Sequence, residues 1–287
     1  MTATTIALAV SVLAASLHAM LAIGSAEAAD RAGRASPSGS PNVAVASSLR
    51  AVWPELERAW RESLPAVDAR PSFGASRTLA RQIARGAPFE LFLAADALSP
   101  ASLPEERVRA GSDTAYARGR LALVLRERDA SASPEGPIAT LAPATLAPLT
   151  ARLSDDPALR LAIASPAHAP YGIAAREALE ASALWPWPEG RLVIGENAAQ
   201  TLQFLQVGAV DAALVPLSLI ATGDAAAALA NDREVSVRLL EEGLHAPLEH
   251  HLVVTADASP AALALAEWLR GARAREVLIG AGFDAPS

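Results

Sequence analysis

Cysteine and lysine are both absent from this 287-residue chain, and aromatic residues make up only 4% of it. Without cysteine there are no disulfides, no thiolate metal sites and no cysteine nucleophile, while the redox compartment stays open. Every one of the 24 cations is an arginine, and we read this Arg/Ala bias as a codon effect without functional weight. The net charge of -7 and a pI near 5.3 leave no basic stripe, which argues against a nucleic-acid groove. A small anion is not excluded, because a site built from backbone dipoles needs no net positive charge. What is present is a 52% hydrophobic composition and enough length for two domains of ordinary size, each with its own core.

The N-terminus carries an apolar run from Ile6 to Ile23, broken only by small polar residues and His18 and followed by Ser25-Ala26-Glu27-Ala28-Ala29. Small residues at Ala26 and Ala28 after such a run read as a secretory signal over 1–28, although no Lys or Arg precedes it. A retained membrane anchor is the alternative, since about 18 apolar residues could just span a bilayer. Either way the remainder is expected outside the cytoplasm, in the periplasm. Residues 29–41, rich in Ser, Gly, Pro and Arg, read as a flexible lead-in.

From Pro41 onward short β-like runs alternate with amphipathic helical patterns, the signature of an α/β fold with mostly parallel sheets. Strands are expected at 42–46, 68–73, 90–94, 120–126, 160–164, 191–195, 211–215, 236–240 and 250–255. Leu49, Val52, Leu56 and Trp60 recur at helical spacing, with Pro54 tolerable if the regular helix starts near it. Similar stripes at Leu79 and Ile83, at Leu202 and Leu205, and at Leu263, Ala266, Trp268 and Leu269 read as core packing. Two lobes are expected: lobe I from 42–118 plus about 258–287, and lobe II from 119–257. The Ala/Pro/Thr-rich stretch 129–148 reads as a loop. Return of the last helices to lobe I would give two chain crossings, hence a hinge. No internal sequence repeat stands out.

Four strand-to-helix turns carry small or polar residues. Val43-Ala44-Val45-Ala46-Ser47-Ser48-Leu49 and Ser72-Phe73-Gly74-Ala75-Ser76-Arg77 each place a Ser where a strand ends and a helix begins. The plain role of such a Ser is to cap its own helix. Ser165-Pro166-Ala167-His168-Ala169-Pro170-Tyr171-Gly172 and Gly195-Glu196-Asn197-Ala198-Ala199-Gln200 precede two further helices. All four follow a strand's carboxyl end, where open α/β sheets bind ligands, and free N–H groups at helix starts suit an anion.

In order and spacing over nearly all of 42–283, these turns, together with Ala84-Arg85-Gly86-Ala87-Pro88-Phe89-Glu90-Leu91-Phe92-Leu93-Ala94-Ala95-Asp96, resemble the periplasmic molybdate-binding proteins of ABC importers. The resemblance implies a two-lobed periplasmic binding protein of type II-like form, mixed sheets flanked by helices with a hinge between the lobes, closing on molybdate or tungstate. It implies no catalytic activity and no cofactor, a monomer, and an ABC permease as the partner. Carried over by position, it implies hydroxyl contacts from Ser48 with Ser47 beside it and from Ser76. It further implies backbone N–H contacts from Tyr171, whose phenol could add to them, and from Ala198.

The chain departs from the family at three positions. Arg77 stands where relatives carry a small residue, and a cation sits badly at the positive end of its own helix, so a solvated rim position is expected. Pro216 falls where some members place a Tyr, and Glu90 replaces the usual Asp. Other chemistries are weaker fits. His245, His250 and His251 with Glu241, Glu242 and Glu249 could make a Zn site, but His250 and His251 would face opposite sides of a strand. Gly74-Ala75-Ser76-Arg77-Thr78 only superficially resembles a nucleophile elbow, with His168 as its conceivable base. A receptor for another small anion such as sulfate would use the same helix starts.

Overall fold

The computed structural model describes residues 39–126, 141–231 and 235–286. The expected leader, most of the lead-in and residues 129–140 of the expected loop lie outside the described residues. Asn42–Ala46 forms β1, followed by a single 3-10 turn at Ser47–Leu49 and helix α1 at Trp53–Arg61, with Pro54 in its first turn where a missing N–H costs nothing. Then come β2 (Arg70–Gly74), α2 (Ser76–Ala84), β3 (Leu91–Ala94), the short α3 (Leu98–Ala101) and β4 (Thr114–Gly119). The chain continues through β5 (Leu121–Arg126), β6 (Pro143–Ala144), α4 (Ala147–Asp155), β7 (Leu161–Ala164), α5 (Pro170–Ala181) and β8 (Leu192–Gly195). Next are α6 (Ala198–Gln206), β9 (Ala212–Pro216), α7 (Gly223–Asn231), β10 (Val235–Leu240) and β11 (Leu248–Val254). Helices α8 (Pro260–Arg270) and α9 (Ala272–Gly280) close the chain and are separated at Gly271.

These elements build two sheets. The first has the strand order β2-β1-β3-β11-β4 and the second β6-β10-β5-β9-β7-β8. The strands that end at the four turns run parallel to their neighbours, as alternating strands and helices require: β1 and β2, with β3, in the first sheet, and β7 and β8, with β9, in the second. The sheets are nonetheless mixed rather than mostly parallel, because β11 runs antiparallel to β3 and β4, and β5 antiparallel to β9 and β10. Ala46 pairs with Gly74 and Ala164 with Gly195, so neighbouring strands end flush and their turns emerge side by side.

Each sheet has its own core. Trp53, Trp60 and Leu56 of α1 pack with Leu265, Leu269 and Leu278 of the C-terminal helices on one face of the first sheet. Leu79, Ala80 and Ile83 of α2 cover the opposite face. Trp60 lies edge-on to Trp53 and Trp268 at 5.2 and 6.2 Å, so three of the few aromatics are concentrated in this core. The second core gathers Leu161, Ile163, Ala174, Ala178, Leu202 and Leu214, and it also includes Ala46 and Ala95 from the ends of β1 and β3. Both lobes belong to one compact unit from residue 38 onward.

The second crossing differs from expectation. Leu248–Val254 pairs with β3 and β4, so the chain returns to the first sheet between β10 and β11 rather than near residue 258. Only Leu252–Val254 of β11 is buried on both faces, and its partners are fixed by long-range pairing that its own pattern does not encode. Strand β4 was not expected either; its alternation is short and ends in Arg118-Gly119 at the sheet's edge.

Candidate functional site

The four turns meet between the carboxyl ends of the two sheets. The Ser47 hydroxyl accepts a hydrogen bond from the Ala198 N–H at 3.1 Å, joining the turn after β1 to the start of α6. The Arg77 N–H donates to the His168 carbonyl at 3.2 Å, joining the start of α2 to the turn before α5. Ala75, Ala164 and Ala169 pack together at the same junction. Ser48, Ser76, Tyr171, Ala198 and Ser47 are all buried, each at most 4% exposed.

Neither serine caps its own helix. Ala46 and Ala75 occupy the cap positions, and neither helix start receives a side-chain cap bond. Ser76 is instead the first helical residue, and its hydroxyl accepts from the Ala95 N–H at 3.0 Å, across from the end of β3. A hydroxyl that accepts a backbone N–H keeps its own proton to donate. This holds for Ser47 and for Ser76. Ser48 goes further, since its hydroxyl is buried without a hydrogen-bond partner while its carbonyl accepts from the Ser218 hydroxyl at 2.8 Å.

The backbone adds donors of its own. Ser76 stands first in α2 and Tyr171 second in α5 after Pro170, positions whose N–H groups have no acceptor inside the helix. In α6, Asn197 caps with its side-chain oxygen accepting from the Ala199 and Gln200 N–H groups, which leaves the Ala198 N–H to reach across to Ser47. The first turn of α5 requires a glycine, because a Cβ on Gly172 would run into the Ala164 carbonyl. That close approach seats the start of α5 directly on the end of β7.

Other expected residues fall elsewhere. The Tyr171 phenol faces away from the helix starts: it lies 3.3 Å from His250 Nε2, and a Cβ on Gly119 would collide with it. Burial raises its pKa well above the ordinary tyrosine value. Arg77 is half-buried beside the junction, its guanidinium 3.5 Å from the Ala167 carbonyl. Glu90 is structural, its carboxylate accepting from the Asn42 and Ser259 N–H groups at 3.1 and 2.9 Å. Pro216 ends β9 at φ -56°, an angle its ring prefers.

The rival constellations do not assemble. His168 Nδ1 lies 3.4 Å from an Arg81 guanidinium nitrogen, while Ser76 is bonded to Ala95. His250 is buried, His251 pairs with Asp113 at 2.7 Å, and His245 is half-buried in the loop after β10. Among the described residues no three His, Asp or Glu side chains gather to hold a metal ion.

Sequence reasoning missed Ser218. Its turn repeats that of Ser48: Ala46 and Pro216 have nearly identical angles, φ -56° with ψ 134° and 133°, and each precedes a 3-10 turn with Ser second and Leu third. The shared spacing of Ser48-Leu49 and Ser218-Leu219 after a buried strand was the available signal. An open groove of about 650 Å³ runs along the outside of the junction, lined by Gly74, Ala75, Thr78, His168, Glu196 and Asn197. None of the five donor residues lines it.

Two α/β lobes that bring buried proton donors and helix starts together between their sheets define a solute-binding protein. The profile of the bacterial extracellular solute-binding proteins matches residues 41–284. A molybdate-binding protein ModA from Azotobacter vinelandii is 31% identical over 220 residues, covering 74% of this chain and 77% of the relative. The ModA of Rhodobacter capsulatus is 29% identical over 221 residues, covering 74% and 75%. The chain belongs to the bacterial extracellular solute-binding proteins and, within them, to the ModA family. In fold it is similar to the solved periplasmic molybdate-binding protein of Azotobacter vinelandii, with a TM-score of 0.70 and 23% identity over 86% of this chain and 100% of that one.

Proposed function

We propose that this chain is a periplasmic receptor that captures molybdate or tungstate and delivers it to an ABC importer. The observation that carries the reading is the buried Ser48 hydroxyl, which has no protein partner, beside two serine hydroxyls that each already accept one backbone N–H. Such a cluster offers protons and few acceptors. A tetrahedral dianion enclosed there takes the place of the Ser47 oxygen on the Ala198 N–H and receives that N–H, the Tyr171 N–H and the hydroxyls of Ser47, Ser48 and Ser76. Hydrogen bonds to charged groups contribute about 1.5–3 kcal/mol each. Five of them offset desolvation and lobe closure and leave a net of roughly 8–12 kcal/mol, a micromolar to nanomolar affinity.

Selectivity then follows from size and protonation. Donors fixed on two sheets favour a larger oxyanion over sulfate, and a donor-only site rejects monohydrogen phosphate, whose proton finds no acceptor. Arg77 contributes at the rim, and no catalytic step is assigned to any residue. The receptor acts as a monomer, without nucleic acid, and reaches the periplasm through a leader over 1–28.

Titration calorimetry of the chain from residue 29 with molybdate, tungstate, sulfate, phosphate and Zn tests the reading. Heat with either group 6 oxyanion and none with phosphate or Zn is expected. Heat with sulfate or Zn alone would overturn it.

A further inference from the structure

Three buried polar side chains lie outside the anion cage. His250 on β11 is fully buried, with Nε2 3.3 Å from the Tyr171 phenol and Nδ1 3.4 Å from the Tyr116 phenol. Phe283 stands edge-on to the imidazole at 5.1 Å. Burial, with a smaller contribution from His251, lowers the His250 pKa to about 3, so the ring is neutral. A neutral imidazole has one N–H and one bare nitrogen, so two phenols saturate it, one accepting and one donating. His250 and His251 face opposite sides of β11, the second pairing with Asp113 nearer the surface, and the register shift opposite them makes Tyr116 the extra residue of β4.

The placement of this group matters more than its chemistry. Tyr171 belongs to the second lobe through α5, whereas His250 and Tyr116 belong to the first sheet. The chain passes between the lobes at Gly119–Arg120 and between β10 and β11; Tyr116 lies just before the first passage and His250 just after the second. Gly119 has no side chain, and none would fit beside the Tyr171 phenol. The tyrosine side chain thus runs from the helix start assigned to the anion into the region about which the lobes turn.

We propose that His250 is a positioning residue: through the Tyr171 phenol it fixes the start of α5 relative to the first lobe, and so sets the closed geometry in which the Tyr171 N–H meets Ser48 and Ser76. This rests on the reading of the cluster as an oxyanion site. Tyr171→Phe keeps the backbone N–H, the ring and the helix start and removes only the tie between lobes. Tyr116→Phe removes an equally buried phenol from the same imidazole, but within one lobe. The two variants therefore separate positioning from packing.

The test is molybdate affinity and dissociation rate, by calorimetry and stopped-flow fluorescence, for the wild-type chain, Tyr171→Phe, Tyr116→Phe and His250→Phe. Tyr171→Phe is expected to bind about tenfold more weakly, through faster dissociation, while Tyr116→Phe stays within about twofold. Tyr171→Phe combined with His250→Phe should be no weaker than the weaker single variant, because His250→Phe already removes the bond that Tyr171→Phe removes. Wild-type binding with unchanged affinity in Tyr171→Phe would overturn the inference, as would equal losses in the two tyrosine variants. Failure of the wild-type chain to bind molybdate would instead overturn the function on which it rests.

Discussion

Replacing Ser48 with alanine should separate stability from binding. The Ser48 hydroxyl is 1% exposed and has no partner, while the turn carrying it is held by the Ser218 hydroxyl on the Ser48 carbonyl at 2.8 Å. Removing the oxygen breaks no internal hydrogen bond and relieves a buried polar group whose unsatisfied state costs about 1–3 kcal/mol. At roughly 2–4 °C per kcal/mol for a chain near this size, the ligand-free melting point should hold or rise by several degrees. Binding moves the other way. One charge-assisted bond to the dianion is lost, about 1.5–3 kcal/mol, which weakens the Kd by roughly 10- to 150-fold. Scanning calorimetry with and without molybdate reads both effects, since ligand at about 100 times Kd adds roughly 2.7 kcal/mol to the wild type and less to the variant. Wild-type affinity in Ser48→Ala, or a ligand-free melting point several degrees lower, would refute the reasoning.

Ser76→Ala should lose on both counts: titration should show at least a tenfold weaker Kd, and denaturation about 1–3 kcal/mol less stability because the Ala95 N–H at 3.0 Å is left unpaired. Arg77→Ser should keep molybdate affinity within a few-fold, since its guanidinium is directed to the Ala167 carbonyl at 3.5 Å, and a hundredfold loss would make Arg77 a ligand. Acid should expose His250. The unfolded chain takes up this proton below about 6.5 and the folded chain only below about 3, so in that window the unfolded state binds more protons and stability falls as pH drops. The His250 share of the slope is about 1.4 kcal/mol per pH unit. Urea denaturation across that range should show the slope reduced by this amount in His250→Phe, and an unchanged slope would refute the burial argument.

Much of the fold was legible because local pattern and final structure agree. The buried run Asn42–Ala46 is a strand over the expected residues, and Pro54 marks the first turn of α1. Strand partners were less legible. β11 reads as a strand from its own residues, but its pairing with β3 and β4 depends on segments far away in sequence. The same limit hid the His250 tie, since its two phenols lie 79 and 134 residues away. The site turns could be found because small hydroxyl residues at strand ends are a local signal. What the hydroxyls do there could not, because an N-cap and a first helical residue differ by one position and the choice is made by tertiary contacts.

That one-position difference is itself informative. Away from the junction a side-chain cap serves, since Ser259 accepts from Ala262 at α8; at α6 Asn197 accepts from Ala199 and Gln200 and leaves the Ala198 N–H to the junction. Where Ser47 and Ser76 stand, alanines hold the cap positions and the hydroxyls turn to N–H groups elsewhere, each a bond across elements. A missing cap costs about 0.5–2 kcal/mol and a buried unsatisfied hydroxyl about 1–3, so the junction is locally suboptimal at several neighbouring positions. Such departures from local preference gather at functional sites. With a net charge of -7, the chain has little long-range attraction for a dianion. The attraction must come from oriented donors held in place at short range, and the helix starts at the junction are where the fold keeps them.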